Sequence, residues 1–237
     1  MELSNLDLVA FVTFIMSWIG YTNFSRIKAR NTPCLAMCLH QHRIHWMKQL
    51  LTHDIRVSDA ALLANLERNI AFFASTTLLV LAGIIALFSQ VAELEKIIAT
   101  FAFAMEPNEL AIQLKLCLLA LIFVWAFFQF TWSMRQYNFV NVMVGATPVD
   151  SINKHLIAYA HEMATMQDQA GHAYNYGLRA YYFALAAISW FFHPVLLIVA
   201  SILVVYILYR REFKSKAVQA IQTGQYLLEA YDNELES

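Results

Sequence analysis

Apolar positions run along the chain in long blocks rather than alternating with polar ones. Leu6 to Phe24, Ile70 to Phe88 and about Leu116 to Ser133 are each close to the ~20 helical residues that cross a ~30 Å hydrocarbon layer. Aromatic residues gather at their ends (Trp18, Tyr21, Phe24, Trp132, Tyr137), where amphipathic rings favour the membrane–water interface. A fourth block, Tyr181 to Tyr209, holds 29 uncharged residues. As one helix it would be roughly 43 Å long, beyond the hydrocarbon layer. His193-Pro194 interrupts it. Either it is one long, tilted, Pro-kinked helix, or it is a tight hairpin of two short ones.

Between the blocks the pattern changes to helical periodicity. Thr32-Pro33 reads as a cap with Pro in the first turn. Met37, His40, Ile44, Met47 and Leu51 then repeat every three or four residues along one face. Ser58 or Asp59 caps a helix that runs through Glu67 into the second block. Gly145 to Pro148 breaks the chain before another periodic stretch, Ile152, Leu156, Tyr159, Met163 and Met166. In the tail, Ala217, Ile221, Gly224, Leu228, Tyr231 and Leu235 form a seam that Gly224 weakens. That seam suits packing on a neighbouring helix better than a free-standing zipper.

Composition agrees. Of 237 residues 59% are hydrophobic and only 14% charged, against about 25% charged in soluble domains. This excludes disorder, a fibre and most soluble folds. The net charge of −1 and the lack of a basic stripe exclude a nucleic-acid footprint. The start of the chain has Glu2 and Asp7 but no Lys or Arg, unlike a signal peptide, so the first block is expected to stay in place.

The placement of charge sets the topology. Residues 22–70 hold seven Lys or Arg (Arg30 among them), while residues 89–113 hold one, Lys96, against Glu93, Glu95, Glu106 and Glu109. Residues 135–180 hold three, and the tail holds four: Arg210, Arg211, Lys214 and Lys216. Positive loops favour the cytoplasm. A single fourth crossing would put the basic tail outside; a hairpin at His193-Pro194 returns it inside. The expected fold is therefore all-α and polytopic, one integral membrane domain with five membrane helices at about 6–24, 70–88, 116–133, 177–192 and 194–209. Cytoplasmic helical segments are expected at about 32–69, 135–176 and 211–236, with the N-terminus outside and the C-terminus in the cytoplasm.

Asp54 to Gly83 (DIRVSDAALLANLERNIAFFASTTLLVLAG), Ser133 to Pro148 (SMRQYNFVNVMVGATP), Tyr174 to Pro194 (YNYGLRAYYFALAAISWFFHP) and Leu208 to Val218 (LYRREFKSKAV) together resemble the domain-of-unknown-function 599 family. The resemblance rests on the order and spacing of several blocks over nearly the whole chain. It implies a multi-pass membrane protein of the kind found in bacteria and plants, here a bacterial inner membrane. The family's function is unsettled, so no catalytic residue carries over.

Candidate chemistry is sparse. Ser75, Thr76, Thr77 and Gln129 are the polar residues best placed to line a pore or polar cavity, or else to bond backbone carbonyls and a neighbouring helix. No block carries a central charge, which disfavours an ion-coupled pump. Ala180, Ala184 and Ala187 form a small-residue stripe suited to close helix contact, within the chain or between subunits. Arg56, Asp59, Arg68, Arg179, Arg210, Arg211 and Glu212 are expected just inside the membrane, as an ion-pair collar or a lipid-headgroup site beyond ordinary positive-inside anchoring.

Cys34, Cys38, His42 and His45 fall within an ~80° sector of one helix. Thiolates and imidazoles suit zinc or copper(I). Cys34 and His45 are, however, roughly 16 Å apart along the axis, so one ion takes only an i,i+4 pair such as Cys38 and His42. His161, Glu162, Asp168 and His172 form a second polar set, read as a solvated face or a relay. No nucleophile elbow, phosphate loop, dinucleotide fingerprint or zinc-protease motif is present, so an enzyme is not expected. The expected function is passive permeation of a small solute through a homo-oligomer. The alternatives are a non-transporting scaffold or regulator that binds anionic lipid or a cytosolic partner, and a metal sensor at the Cys/His set. No cofactor is read.

Overall fold

The computed structural model describes residues 4–29, 32, 34–101, 108–149 and 153–236. Glu2, Arg30, Pro33, Glu106 and Ile152 lie outside the described residues, as does the side chain of Leu235. Among the described residues there are eight helices and no strand: α1 Asn5–Lys28, α2 Leu35–Leu50, α3 Val57–Phe88, α4 Val91–Ala99, α5 Glu109–Ala146, α6 Lys154–Ser189, α7 Pro194–Phe213 and α8 Lys216–Glu236.

The breaks follow local chemistry. α5 ends two residues before Pro148, whose ring disfavours helix in the residue ahead of it. α7 begins on Pro194, where a missing N–H costs nothing. Between them α6 tightens into a turn: the amides of Trp190, Phe191 and Phe192 donate to the carbonyls of Ala187, Ile188 and Ser189 at 3.1–3.2 Å. His193 Nδ1 accepts the Val195 N–H at 3.1 Å, capping α7. α4 was not anticipated; it buries Val91 and Ile98 and leaves Glu93 paired with Lys96 at 2.9 Å.

Four helical stretches are long and apolar enough to cross a membrane: Asn5–Lys28, Val57–Phe88, Glu109–Ala146 and Pro194–Tyr231, the last taking in α7 and most of α8. The expected five differ by the second half of α6. From Gly177 that half has only 13 residues before α6 ends at Ser189, fewer than a full crossing needs. The tail helix also starts later than expected, at Lys216.

The chain divides into two compact units. Unit 1 comprises residues 1–26, 72–130 and 175–208. Its core is aromatic. Trp18 stacks on Phe183 at 5.4 Å, Phe14 meets Phe183 edge-on at 5.7 Å, and Phe73 stacks on Phe130 at 5.5 Å. Tyr181 packs edge-on against Phe73, Phe123 and Phe130. α6 approaches α5 so closely that a Cβ on Gly177 would sit 2.5 Å from Phe130 Cε1. Ala180, Ala184 and Ala187 are buried within the chain, so the small-residue stripe serves internal packing. Leu79, Ile85, Leu121, Phe128 and Ile202 stay exposed, as lipid-facing side chains do when there is no water to avoid.

Unit 2 comprises residues 27–71, 131–174 and 209–237. Here helices are joined by polar contacts over a core that includes Met47, Leu50, Leu63, Val140 and Met163. α5 and α6 run antiparallel: Ser133 Oγ donates to the Ala170 carbonyl at 2.6 Å, and farther along Tyr159 donates to the Met143 carbonyl at 3.3 Å. α8 lies on α2, and a Cβ on Gly224 would sit 3.3 Å from the His42 ring. The Gly224 that weakens the tail as a zipper is what seats it on a neighbour.

Candidate functional site

In unit 1, the hydroxyls singled out as pore candidates are largely occupied. Thr76 Oγ1 donates to the Phe72 carbonyl at 2.8 Å. Thr77 is buried; its Oγ1 lies 2.6 Å from the Phe73 carbonyl, to which it donates, and 2.8 Å from Tyr181 Oη. Such back-bonding satisfies a hydroxyl inside an apolar layer. Ser75 is exposed and Gln129 is half-buried, so neither is enclosed by this chain.

Unit 1 also holds a polar group that sequence reading passed over. Asp7, in the first turn of α1, accepts the Trp190 indole N–H at 2.8 Å. Lys115 donates to the Trp190 carbonyl at 2.9 Å and lies 4.0 Å from Asp7. Its ammonium is also 5.3 Å from the Trp190 ring. Both charged side chains are 12% exposed. The signal was present, since Lys115 is the one positive residue abutting the start of the third block, but nothing in the sequence pairs it with Asp7. Elsewhere in unit 1, Arg26 donates to Tyr176 Oη at 3.1 Å, and Arg179 lies 5.3 Å from the Tyr21 ring and 5.6 Å from the Tyr176 ring.

The remaining predicted residues lie in unit 2. Arg56 donates to the carbonyls of Thr147 (2.7 Å), Val144 (3.3 Å) and Pro148 (3.2 Å). It thereby places a cation on the carbonyl end of α5, where the helix dipole favours one. Asp59 is buried and accepts from Trp46 Nε1 at 2.7 Å, with His53 Nδ1 2.9 Å from its other oxygen. The expected collar of mutually paired charges is thus resolved, for Arg56 and Asp59, into separate ties between helices. Arg68, Arg210 and Arg211 are exposed and Glu212 is half-buried. Nearby, Asn141 donates to Glu67 at 2.7 Å.

The His-rich α2, joined to α3 by Trp46, is also tied to α6 and α8. His40 and Arg43 both pair with Asp168 of α6. His42 Nε2 is 2.9 Å from the Ile221 carbonyl of α8. Asp168, read from sequence beside His161, Glu162 and His172, therefore looks across to α2. Gly171 makes room for Arg43, whose Nη2 would be 3.0 Å from a Cβ there. Gln136 and Gln167 are buried in the same unit, and their Oε1 atoms accept no hydrogen bond from the described residues. Cys34 and Cys38 are buried, and burial, with the neighbouring Cys34, pushes the Cys38 thiol above its ordinary value. A protonated thiol is a poor metal ligand. Among the described residues no group of three or more His, Cys, Asp or Glu side chains is arranged to hold a metal ion.

No curated protein and no solved structure matches the chain. The model of one family does, over residues 9–217, spanning the two units and all eight helices at least in part. The chain belongs to that family, described as "Protein of unknown function, DUF599".

Proposed function

We propose that the chain is a five-crossing membrane protein that serves as a non-transporting, non-enzymatic scaffold, with its N-terminus outside and the segments of unit 2 in the cytoplasm of a cell. The fifth crossing is the second half of α6. Two sets of contacts support it. Tyr176 bonds Arg26 near the end of α1, while Trp190 bonds Asp7 near its start. The 14 residue steps from Tyr176 in α6 to Trp190, just past its end, therefore run alongside nearly all of α1, in the opposite direction. α6 rises only about 21 Å over that stretch, so the crossing is short and calls for tilt of α1 or a thin layer.

The scaffold reading is carried by the occupied hydroxyls of Thr76 and Thr77. A polar path needs donors and acceptors turned to its lumen; these are turned to Phe72, Phe73 and Tyr181. The polar side chains of unit 2 instead link helix to helix, which suits a rigid platform for a cytosolic partner. Purified protein in liposomes should pass neither ions nor small neutral solutes, and measurable flux would overturn the scaffold. The fifth crossing has its own test: His193→Cys, in a background with Cys34→Ala, Cys38→Ala and Cys117→Ser, should react with an impermeant maleimide added outside the cell. Labelling only after lysis would sink it.

A second reading, passive permeation through a homo-oligomer, is favoured by Ser75 alone. It is a hydroxyl on an apolar helix, exposed where only a second copy would enclose it. Metal sensing at Cys34, Cys38, His42 and His45 gains no support from the buried thiols or the engaged His42.

A further inference from the structure

α8 is apolar on two faces. One packs on α2: Val218 is buried, Ile221 and Leu228 are half-buried, and Gly224 faces the His42 ring. The other points away from α2. Tyr226, Leu227 and Tyr231 are 70%, 62% and 58% exposed, and Ala220 and Thr223 are exposed about one turn earlier. At ~100° per residue these five fall within an arc of about 140°, centred roughly 150° from the α2 seam. Large apolar side chains gathered on one face of a water-exposed helix mark a contact surface.

Charge decides what that surface meets. Glu229, Asp232, Glu234 and Glu236 follow Leu227, and no Lys or Arg follows Lys216. Glu229 is exposed and accepts from the neutral Gln225 amide at 2.8 Å, which leaves its charge in place. An anionic cytoplasmic membrane surface repels such a helix, so lipid is the wrong occupant and a basic one is the right one. Spacing decides its form. Ala220, Thr223 and Leu227 step by three and then four, the repeat with which one helix packs along another, and Tyr226 and Tyr231 flank that seam. We propose that the face of α8 turned away from α2 docks a helix of a cytosolic protein, apolar along one stripe and bordered by Lys and Arg. The proposal names the partner of the scaffold reading and rests on that reading, because α8 must lie in the cytoplasm.

The probe is a phage-displayed library of random peptides of about 20 residues, long enough to cover the face as a helix. It is depleted on empty phosphatidylcholine nanodiscs and selected on nanodiscs that hold the full-length protein. Enriched peptides should carry a net charge of about +3 or more, with apolar residues three and four apart. One of them, synthesised and followed by fluorescence anisotropy, should bind about ten-fold or more weakly to Leu227→Asp and, separately, to Tyr231→Ala. Glu229→Lys should weaken it by about three-fold or more, whereas Ile55→Asp, on a residue equally exposed ahead of α3, should leave it unchanged. No enrichment, enriched peptides without basic residues, or binding that Leu227→Asp and Tyr231→Ala both leave intact overturns the docking face. A dimer seen by native mass spectrometry in detergent that Leu227→Asp dissolves assigns the face to a second copy and likewise overturns the proposal. The reading underneath is tested apart from it. Tyr226→Cys, in a background with Cys34→Ala, Cys38→Ala and Cys117→Ser, should resist an impermeant maleimide in intact cells and react after lysis. Reaction in intact cells overturns the cytoplasmic placement of α8 and the cytosolic partner with it, while protection in intact cells with no selected peptide overturns the docking face alone.

Discussion

Trp190 donates its indole N–H to Asp7 across 183 residues of sequence, and the same tryptophan offers its carbonyl to Lys115. One residue at the α6–α7 turn thereby holds the acid of α1 and the base of α5. Each charge is mostly buried, and each depends on the other and on Trp190 for partners. Removing one partner of such a pair costs more than removing both, because it strands a desolvated charge. Asp7→Asn and Lys115→Gln should each lower stability by about 1–3 kcal/mol in a thermal or denaturant melt of the detergent-solubilised protein. The double variant should lose less than the two single losses added together. Strict additivity would show that the two charges do not interact.

Close packing of α6 on α5 gives a sharper test. A Cβ on Gly177 would lie 2.5–2.8 Å from three carbons of the Phe130 ring, which is itself fully buried and has no room to swing. Gly177→Ala should therefore destabilise by about 1–3 kcal/mol through overpacking, and Phe130→Leu in the same chain should recover part of the loss. Gly83, five residues before the end of α3, has nothing within 4 Å of the site a Cβ would occupy. Gly83→Ala should be neutral, or stabilising by up to about 1 kcal/mol from helix propensity. Equal effects at the two glycines would contradict the packing argument.

What the sequence made legible was whatever one helix carries by itself. The apolar blocks, the break near Pro148, the start of α7 at Pro194 and the run of α3 into the second block all depend on neighbours along the chain, and periodicity registers them; the cap expected at Ser58 or Asp59 does not hold, since α3 starts at Val57 and Asp59 is turned to Trp46 and His53. The α2 histidines show where that ends. Their spacing placed His42 beside Cys38 on one face, yet His42 is turned to Ile221 and His40 to Asp168. Those partners lie 179 and 128 residues away, and no pattern along α2 encodes them. The Asp7–Lys115 pair escaped for the same reason. Each charge sits at the end of an apolar block, where an interfacial residue is ordinary, and only the turn at Trp190 brings them together. Charge sorting assigns each segment an expected side; it has no means of finding which charges meet.

Burial of Cys38 supplies a pH dependence whose sign is fixed. Desolvation first, and the adjacent Cys34 second, raise the folded-state thiol above its ordinary value of 9.0, so the folded chain holds the proton more tightly than the unfolded chain does. The unfolded thiol ionises first as pH rises. The stabilising contribution is therefore fully present below about pH 9 and fades as pH climbs through the raised value. Cys38→Ala removes the titrating group while keeping a small apolar side chain. Its melting temperature, referenced to its own value at pH 7.5, should fall less between about pH 8.5 and 10.5 than that of the native chain. In the folded native protein Cys38 should also react with a small alkylating agent at pH 8 far more slowly than after denaturation, because both the thiolate and access to it are suppressed. A Cys38 that alkylates in the folded state as fast as in the unfolded one would show that it is not held in the buried position on α2.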